Sequence, residues 1–209
     1  MKSLFWKYSL PLNEDQYKNF KRFLDIFIEK NKVINLSAIR DESGIIEKHF
    51  IDSLILTKFI ELKWSIGDLW TGWGFPWVPL ALYLWDQVHI DCIDSIGKKV
   101  KVVEDFAQEL GLTNVAWVWG RAEELAKSHE YFEKYDILVS RAVAYFPVLL
   151  GYGLPLVKKW GIFIAYKLEN EAEIKEGEKL LKKYNAKIEK VEHYEIEGQK
   201  RSFIFVRKR

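Results

Sequence analysis

The chain has 209 residues, 49% apolar and 30% charged, which suits one domain with a substantial core and excludes a disordered polymer. Thirty-two Lys and Arg against 30 Asp and Glu leave a net charge of only +2, so overall charge does not mark a nucleic-acid binder. Cys92 is the single cysteine, which excludes an internal disulfide and a cysteine-built metal site. No apolar run reaches membrane-spanning length, and residues 1–12 lack a signal-peptide core. The expectation is a cytoplasmic protein with no membrane segment and no metal.

Asn13 to Asn31 reads as a helix. Asn13 caps it, Gln16 completes a capping box, and Tyr17, Phe20, Phe23, Leu24, Phe27 and Ile28 recur at helical spacing. A second helix is predicted from about Ser43 to Ile60, with Ile46, Phe50, Leu54 and Phe59 among its apolar positions. Both precede any convincing strand, which predicts an N-terminal helical cap (1–62) on a second unit (63–209).

From Ser65 the pattern becomes strand, turn, helix, repeated. Ile66–Leu69 is a strand leading into Thr71-Gly72-Trp73-Gly74-Phe75-Pro76, and a helix follows over 77–85. Val88–Ile93 is a second strand ending in Asp94. Ser95 is the expected cap of a helix that turns Ile96, Val100, Val103, Phe106 and Leu110 inward and stops at Gly111. Further strands are expected at 115–119, 137–140 and 162–167, with helices at 147–158 and 169–184. Two closing strands, near 186–194 and 202–206, flank a polar turn at Glu197-Gly198-Gln199. The alternation predicts an α/β fold with helices on both faces of a mostly parallel sheet and an antiparallel C-terminal edge hairpin.

Ligands of such sheets bind beyond the carboxyl ends of the strands. Gly72 and Gly74 permit a tight turn and close backbone approach there, and the following helix presents free N–H groups. Asp94 ends the second strand, 22 residues after Gly72, where a carboxylate can accept both hydroxyls of a ribose. These features serve a nicotinamide dinucleotide or S-adenosylmethionine equally. Cys92, inside an apolar run, reads as core packing.

Six segments separate the two. Asn35-Leu36-Ser37-Ala38-Ile39-Arg40 and Glu47-Lys48-His49-Phe50-Ile51-Asp52-Ser53-Leu54 come first. The glycine turn, Asp94-Ser95-Ile96-Gly97-Lys98-Lys99, Gly120-Arg121-Ala122-Glu123-Glu124 and Ser140-Arg141-Ala142-Val143-Ala144 follow in order. Over residues 15 to 207 the chain resembles the RsmG (GidB) family of S-adenosylmethionine-dependent methyltransferases. The resemblance implies a class I, Rossmann-like methyltransferase fold, and transfer of a methyl group to N7 of a guanine in 16S ribosomal RNA. It implies cofactor contacts from Trp70, Gly72, Gly74 and Phe75, from Asp94, Ser95 and Ile96, from Ala122 and Glu123, and from Arg141. Arg141 could hold the methionine carboxylate or an RNA phosphate.

Guanine N7 carries an available lone pair at neutral pH, so no catalytic acid or base is assigned. His49 and Asp52, three apart on one helix face, are expected to brace the cap or contact RNA. Lys98, Lys99, Lys200 and Arg201 are candidates for holding the RNA backbone. The expected partner is small-subunit ribosomal RNA or the assembled subunit, and the expected state is a monomer.

The family turn is close to Gly-Thr-Gly-x-Gly-Phe-Pro-Gly, whereas this chain has Trp70 at its first glycine and Trp77 at its last. Trp73 fills a slot often held by a small residue, and Trp160 stands in what resembles a Gly-Gly pair. An indole at 70 would crowd the methionine portion of the cofactor, and one at 77 would part helix from sheet. Three accounts follow: a repacked active enzyme, a silent RNA-binding relative, or TGA codons that the cell reads as glycine. A nicotinamide-dependent oxidoreductase is the remaining alternative, without an evident proton donor.

Overall fold

The computed structural model describes residues 1–63, 65–141 and 144–209. Ala142 and Val143 of the last family segment lie outside the described residues, as does Trp64.

The N-terminal helices form where local signals place them. Helix α1 (Lys2–Lys7), too short to show in the periodicity, buries Phe5. Helix α2 (Glu14–Ile34) starts on Asn13, whose side chain accepts from Gln16 N while Gln16 Oε1 accepts from Asn13 N. It runs three residues past the expected end and stops at Asn35, which is left-handed at φ 50°. The second expected helix is a composite. It consists of α3 (Glu42–Ile45), a π-helical turn (Ile46–Ile51), α4 (Asp52–Leu54) and a 3-10 turn (Ile55–Lys58). A π turn inserts one residue into the helical repeat and recurs at functional sites. Here it contains His49 and immediately precedes Asp52.

Among the described residues seven strands form one sheet in the order β3-β2-β1-β4-β5-β7-β6. These are β1 (Ser65–Leu69), β2 (His89–Asp94), β3 (Val115–Trp119), β4 (Tyr135–Ser140), β5 (Val157–Leu168), β6 (Ala186–Ile196) and β7 (Gln199–Lys208). The first five are mutually parallel; β7 runs antiparallel between β5 and β6. The closing hairpin turns through two residues with positive φ, Glu197 (46°) and Gly198 (76°), as a tight two-residue turn requires. Helices α5 (Trp77–Leu84), α6 (Gly97–Leu110), α7 (Ala122–Leu125), α8 (Phe146–Gly153) and α9 (Glu171–Leu181) make the crossovers.

Two apolar clusters cover the sheet. One joins the N-terminal helices to it, with Phe23 stacked on Phe50 and edge-on to Phe106. The other lies under α8 and α9. Cys92 belongs to the first and is buried, as its apolar setting predicts.

Three local expectations change. Ser95 does not cap α6; Ile96 is the residue before the helix and makes no side-chain cap, and Asp94 Oδ1 accepts the Ile96 N–H just ahead of the first turn. Ile96 accordingly turns outward rather than inward. The helix expected to reach Lys158 ends near Leu156, because Val157 and Lys158 already belong to β5. Among the described residues no helix is long and apolar enough to cross a membrane.

Candidate active site

The glycine turn is held from both sides. Thr71 N donates to Ile93 O (3.1 Å), and Thr71 Oγ1 donates to Asp68 Oδ2 (2.7 Å). Gly72 and Gly74 have φ of 58° and 106°, which strains a side chain at either, and a Cβ on Gly74 would also lie 2.9 Å from Val78 Cγ2. Gly72 N donates to Asp94 Oδ2 (3.0 Å), Ile96 N donates to Asp94 Oδ1 (2.9 Å), and Gly120 N donates to Asp94 O (3.1 Å). Asp94, 3% exposed, therefore ties together the loops that follow β1, β2 and β3. Each carboxylate oxygen keeps a second lone pair, which leaves it able to accept a diol.

Around this junction Ala122 is buried and Glu123 exposed at the start of α7. Ile96 and Trp119 stand open on the rim, with Trp119 Nε1 donating to Ser95 O (3.2 Å). A carboxylate beside exposed apolar surface can hold a ribose while a flat base lies on the neighbouring side chains. Trp70, at φ 61°, turns its indole onto Tyr152 of α8, with ring centroids 5.3 Å apart. Trp77 is fully buried, edge-on to Trp117 at 5.4 Å, and its Nε1 is buried without a partner.

Asp68 lies under the turn, fully buried, with Oδ1 unpartnered. Burial, and then the Asp94 charge, push its pKa up to about 7 against the pull of the Thr71 hydroxyl and Arg141. A carboxyl whose pKa is raised on folding stabilises the folded state most below its unfolded value near 4. That contribution is lost as pH rises towards 7 and is constant above it. The wild-type chain should therefore lose more stability between pH 4.5 and 8 than Asp68→Asn, by on the order of 3–4 kcal/mol. Urea denaturation at the two pH values measures it, and equal slopes for both proteins would refute it.

Arg141, beyond the carboxyl end of β4, is half of a buried ion pair. Its Nη1 donates to Asp52 Oδ2 (3.0 Å), Ser53 Oγ (3.3 Å) and the carbonyl of His49 (3.4 Å), and its guanidinium lies over the Phe75 ring at 5.1 Å. No hydrogen bond leaves its Nη2 among the described residues. Asp52, fully buried, also accepts from Arg201 Nη1 (2.9 Å) and Tyr194 Oη (2.9 Å). Of the two roles expected for His49 and Asp52, Asp52 shows the bracing one. His49 stacks on Phe75 at 4.7 Å, with Nε2 2.8 Å from Ser37 Oγ. Burial and the neighbouring cations Arg141, Arg201 and Lys48 lower its pKa to about 3, so it is neutral at pH 7.

Beside this pair opens a cavity of about 510 Å³ at the carboxyl end of β5, lined by Arg141, Tyr166, Lys167, Asn170, Tyr194 and Arg201 among others. Lys167 is tied to Glu173 (2.6 Å) and to Ala144 O (2.8 Å). Tyr166 Oη donates to Ser53 O (3.0 Å). No spacing in the sequence pointed to Tyr166 or Tyr194, which meet only through β5 and β6. Asp68 does carry a signal in the sequence, as a carboxylate in an apolar strand just before a glycine turn.

The four basic candidates do not form one patch. Lys98 is exposed and Lys99 half-buried at the start of α6, with Lys99 5.8 Å from the Trp73 ring. Lys200 is exposed on β7, and Arg201 is committed to Asp52 and to Gln199 Oε1 (2.6 Å). The two pairs lie at the same sheet edge, four strand spacings or roughly 19 Å apart.

Comparison with known proteins agrees with this geometry. The chain is similar to solved structures of an O-methyltransferase from Bacillus cereus in complex with SAH (TM-score 0.64, 16% identity, 93% of this chain and 96% of that one). It is also similar to a putative O-methyltransferase from Klebsiella pneumoniae (TM-score 0.63, 13% identity, 99% and 95%). At such identity these show the fold, that of Rossmann-like class I methyltransferases. Proteins named ribosomal RNA small subunit methyltransferase G are nearer in sequence. That of Desulfitobacterium hafniense is 37% identical over 203 residues (96% of this chain, 84% of that protein). That of Acetivibrio thermocellus is 36% identical over 204 residues (96% and 84%). With residues 16–204 matching it as well, the chain belongs to the GidB family, described as rRNA small subunit methyltransferase G.

Proposed function

We propose that the chain transfers the methyl group of S-adenosylmethionine to N7 of a guanine in 16S ribosomal RNA. One observation carries the reading: the loop junction on Asp94 and the aromatic, arginine-lined cavity share one sheet edge, with Arg141 between them. The residues present fit the cofactor. Asp94 has free lone pairs for a ribose, Gly72 and Gly74 put no side chain at their two positions in the turn, and Asp68 Oδ1 is a buried acceptor awaiting a donor. Ser95, Ile96, Ala122 and Glu123 would border the adenine, while Trp70, Phe75 and Arg141 would border the methionine end.

When bound, the cofactor supplies an electrophilic sulfonium methyl group. The protein's part is orientation. Guanine N7 needs no proton removed, and neutral, buried His49 is not placed to remove one. Tyr166 and Tyr194 offer ring surface to a base in the cavity, and alignment of nucleophile with methyl accounts for the rate. Arg201 lines the cavity and is held by Asp52, while Lys98, Lys99 and Lys200 stand to either side along the same end of the sheet, where an RNA strand could cross. On this reading residues 1–62 are a cap within one compact unit, and the protein works as a cytoplasmic monomer on RNA or the assembled subunit.

The test is transfer of labelled methyl to small ribosomal subunits, followed by borohydride and aniline, which cleave RNA at N7-methylguanosine. Label with cleavage at one guanosine is expected; label without cleavage would overturn the N7 assignment. Trp70 favours a second reading, a silent RNA-binding relative. Calorimetry showing no binding at millimolar S-adenosylmethionine would select it. A nicotinamide enzyme loses ground, because an antiparallel β7 between β5 and β6 departs from the all-parallel 3-2-1-4-5-6 order of dinucleotide folds.

A further inference from the structure

Among the described residues, Ser9, Asn35, Trp70, Trp85, Glu133, Trp160, Asn185 and Glu197 are the non-glycine residues with positive φ. Three of these eight are tryptophan. Asparagine tolerates the left-handed region through its short polar side chain, but a bulky aromatic there is an outlier.

Each of the three sits where the chain must turn. Trp85 closes α5 with φ 48° and ψ −121°. That combination belongs to the first central position of a type II′ turn, which glycine occupies. Trp160 (φ 67°) lies in β5 where the pairing with β4 jumps from Tyr135–Val157 to Ile137–Ile162, so the extra residues fold into a tight turn. At the next residue, Gly161, a Cβ would meet Val157 Cγ1 at 2.8 Å and Asp136 O at 2.9 Å, so the turn is shaped for glycine on both sides. Trp70 (φ 61°) opens the turn that Asp94 holds.

Trp70 gains a contact with Tyr152, but core packing does not offset the conformations of the other two. Trp160 is 64% exposed and lies largely in water, and Trp85, 43% exposed, stays out of the core. Trp77, with an ordinary backbone, shows a different misfit: complete burial with an unpaired indole N–H, a group that normally finds a partner. Trp119 contrasts with all four, since its backbone is ordinary and its Nε1 is hydrogen-bonded to Ser95 O. Among the described tryptophans, the misfit is confined to particular ones.

We infer that the protein as made in its own cell carries glycine at positions 70, 85 and 160, encoded by TGA codons read as glycine. Position 77 belongs with them on the evidence of its unpaired indole. TGA differs from the tryptophan codon TGG by one base, so a reading of TGA as tryptophan places an indole wherever the fold was selected for glycine. Position 85 is decisive, because the backbone conformation alone identifies it.

The coding DNA tests this directly. TGA at 70, 85 and 160 is expected, with glycine in the matching peptides of the protein isolated from its native cell by mass spectrometry. TGG at these positions, or tryptophan in those peptides, would overturn it. A second arm uses the recombinant chain. Trp85→Gly should raise the folded-to-unfolded ratio roughly ten-fold, and Trp85→Ala should recover less, since alanine removes the bulk but keeps the Cβ that this φ and ψ reject. Equal recovery by alanine and glycine would count against the inference. Neither arm depends on methyl transfer, so a failure here is distinguishable from a failure of the proposed activity.

Discussion

Asp52→Ala is expected to destabilise the protein by about 3–5 kcal/mol, the cost of removing one partner from a buried ion pair. The carboxylate is fully buried and accepts from Arg141 (3.0 Å), Arg201 (2.9 Å) and Tyr194 (2.9 Å). Without it, two guanidinium groups remain largely enclosed with no counter-charge, and Arg201 Nε is already buried without a partner. The three partners come from the end of β4, from β6 and from β7, so the same change loosens the grip of the N-terminal helices on the sheet. Asp52→Asn keeps an acceptor but not the charge, and should fall between wild type and alanine. Urea unfolding at pH 7 measures both. A loss below about 1 kcal/mol for alanine would mean that the arginines find other partners.

Asp94→Asn is expected to weaken S-adenosylmethionine binding by about 2–4 kcal/mol, roughly 30- to 1,000-fold in Kd. Both carboxylate oxygens accept backbone N–H groups, from Gly72 and Ile96. An amide must turn its NH₂ toward one of those donors, so the variant loses a charge-assisted bond and gains a donor facing a donor. The loops after β1 and β2 then part where the ribose is proposed to lie. Calorimetry with the cofactor reads the effect, and thermal unfolding of the same samples shows whether the fold persists. Unchanged affinity in a folded variant would remove Asp94 from the binding site.

Much of the architecture was legible because its causes are local. The Asn13–Gln16 capping box, the left-handed stop at Gly111 and the two-residue turn at Glu197-Gly198 each depend on a few adjacent residues. The strand–turn–helix alternation follows from the two periodicities of apolar residues. The start of α6 moved past Ser95: Ile96, whose N–H the Asp94 carboxylate accepts, is still extended, and the helix begins at Gly97 without a side-chain cap. Helix α1 and the π turn escaped notice because six residues hold too few apolar repeats to show a period.

The amino-acid sequence by itself determined the family, the glycine turn, the acid that ends β2 and the order of strands and helices. It also exposed tryptophans out of the family pattern at 70, 73, 77 and 160. Only the tertiary structure decided that Asp52 meets Arg141 and Arg201, 89 and 149 residues away, and that Tyr166 and Tyr194 line one cavity. It also singled out Trp85 as a glycine position, through a φ and ψ that no residue pattern displays. The division has a physical reason. Caps, turns and periodicity are set by neighbours along the chain, whereas buried charge pairs, cavities and forced backbone angles arise when distant segments pack.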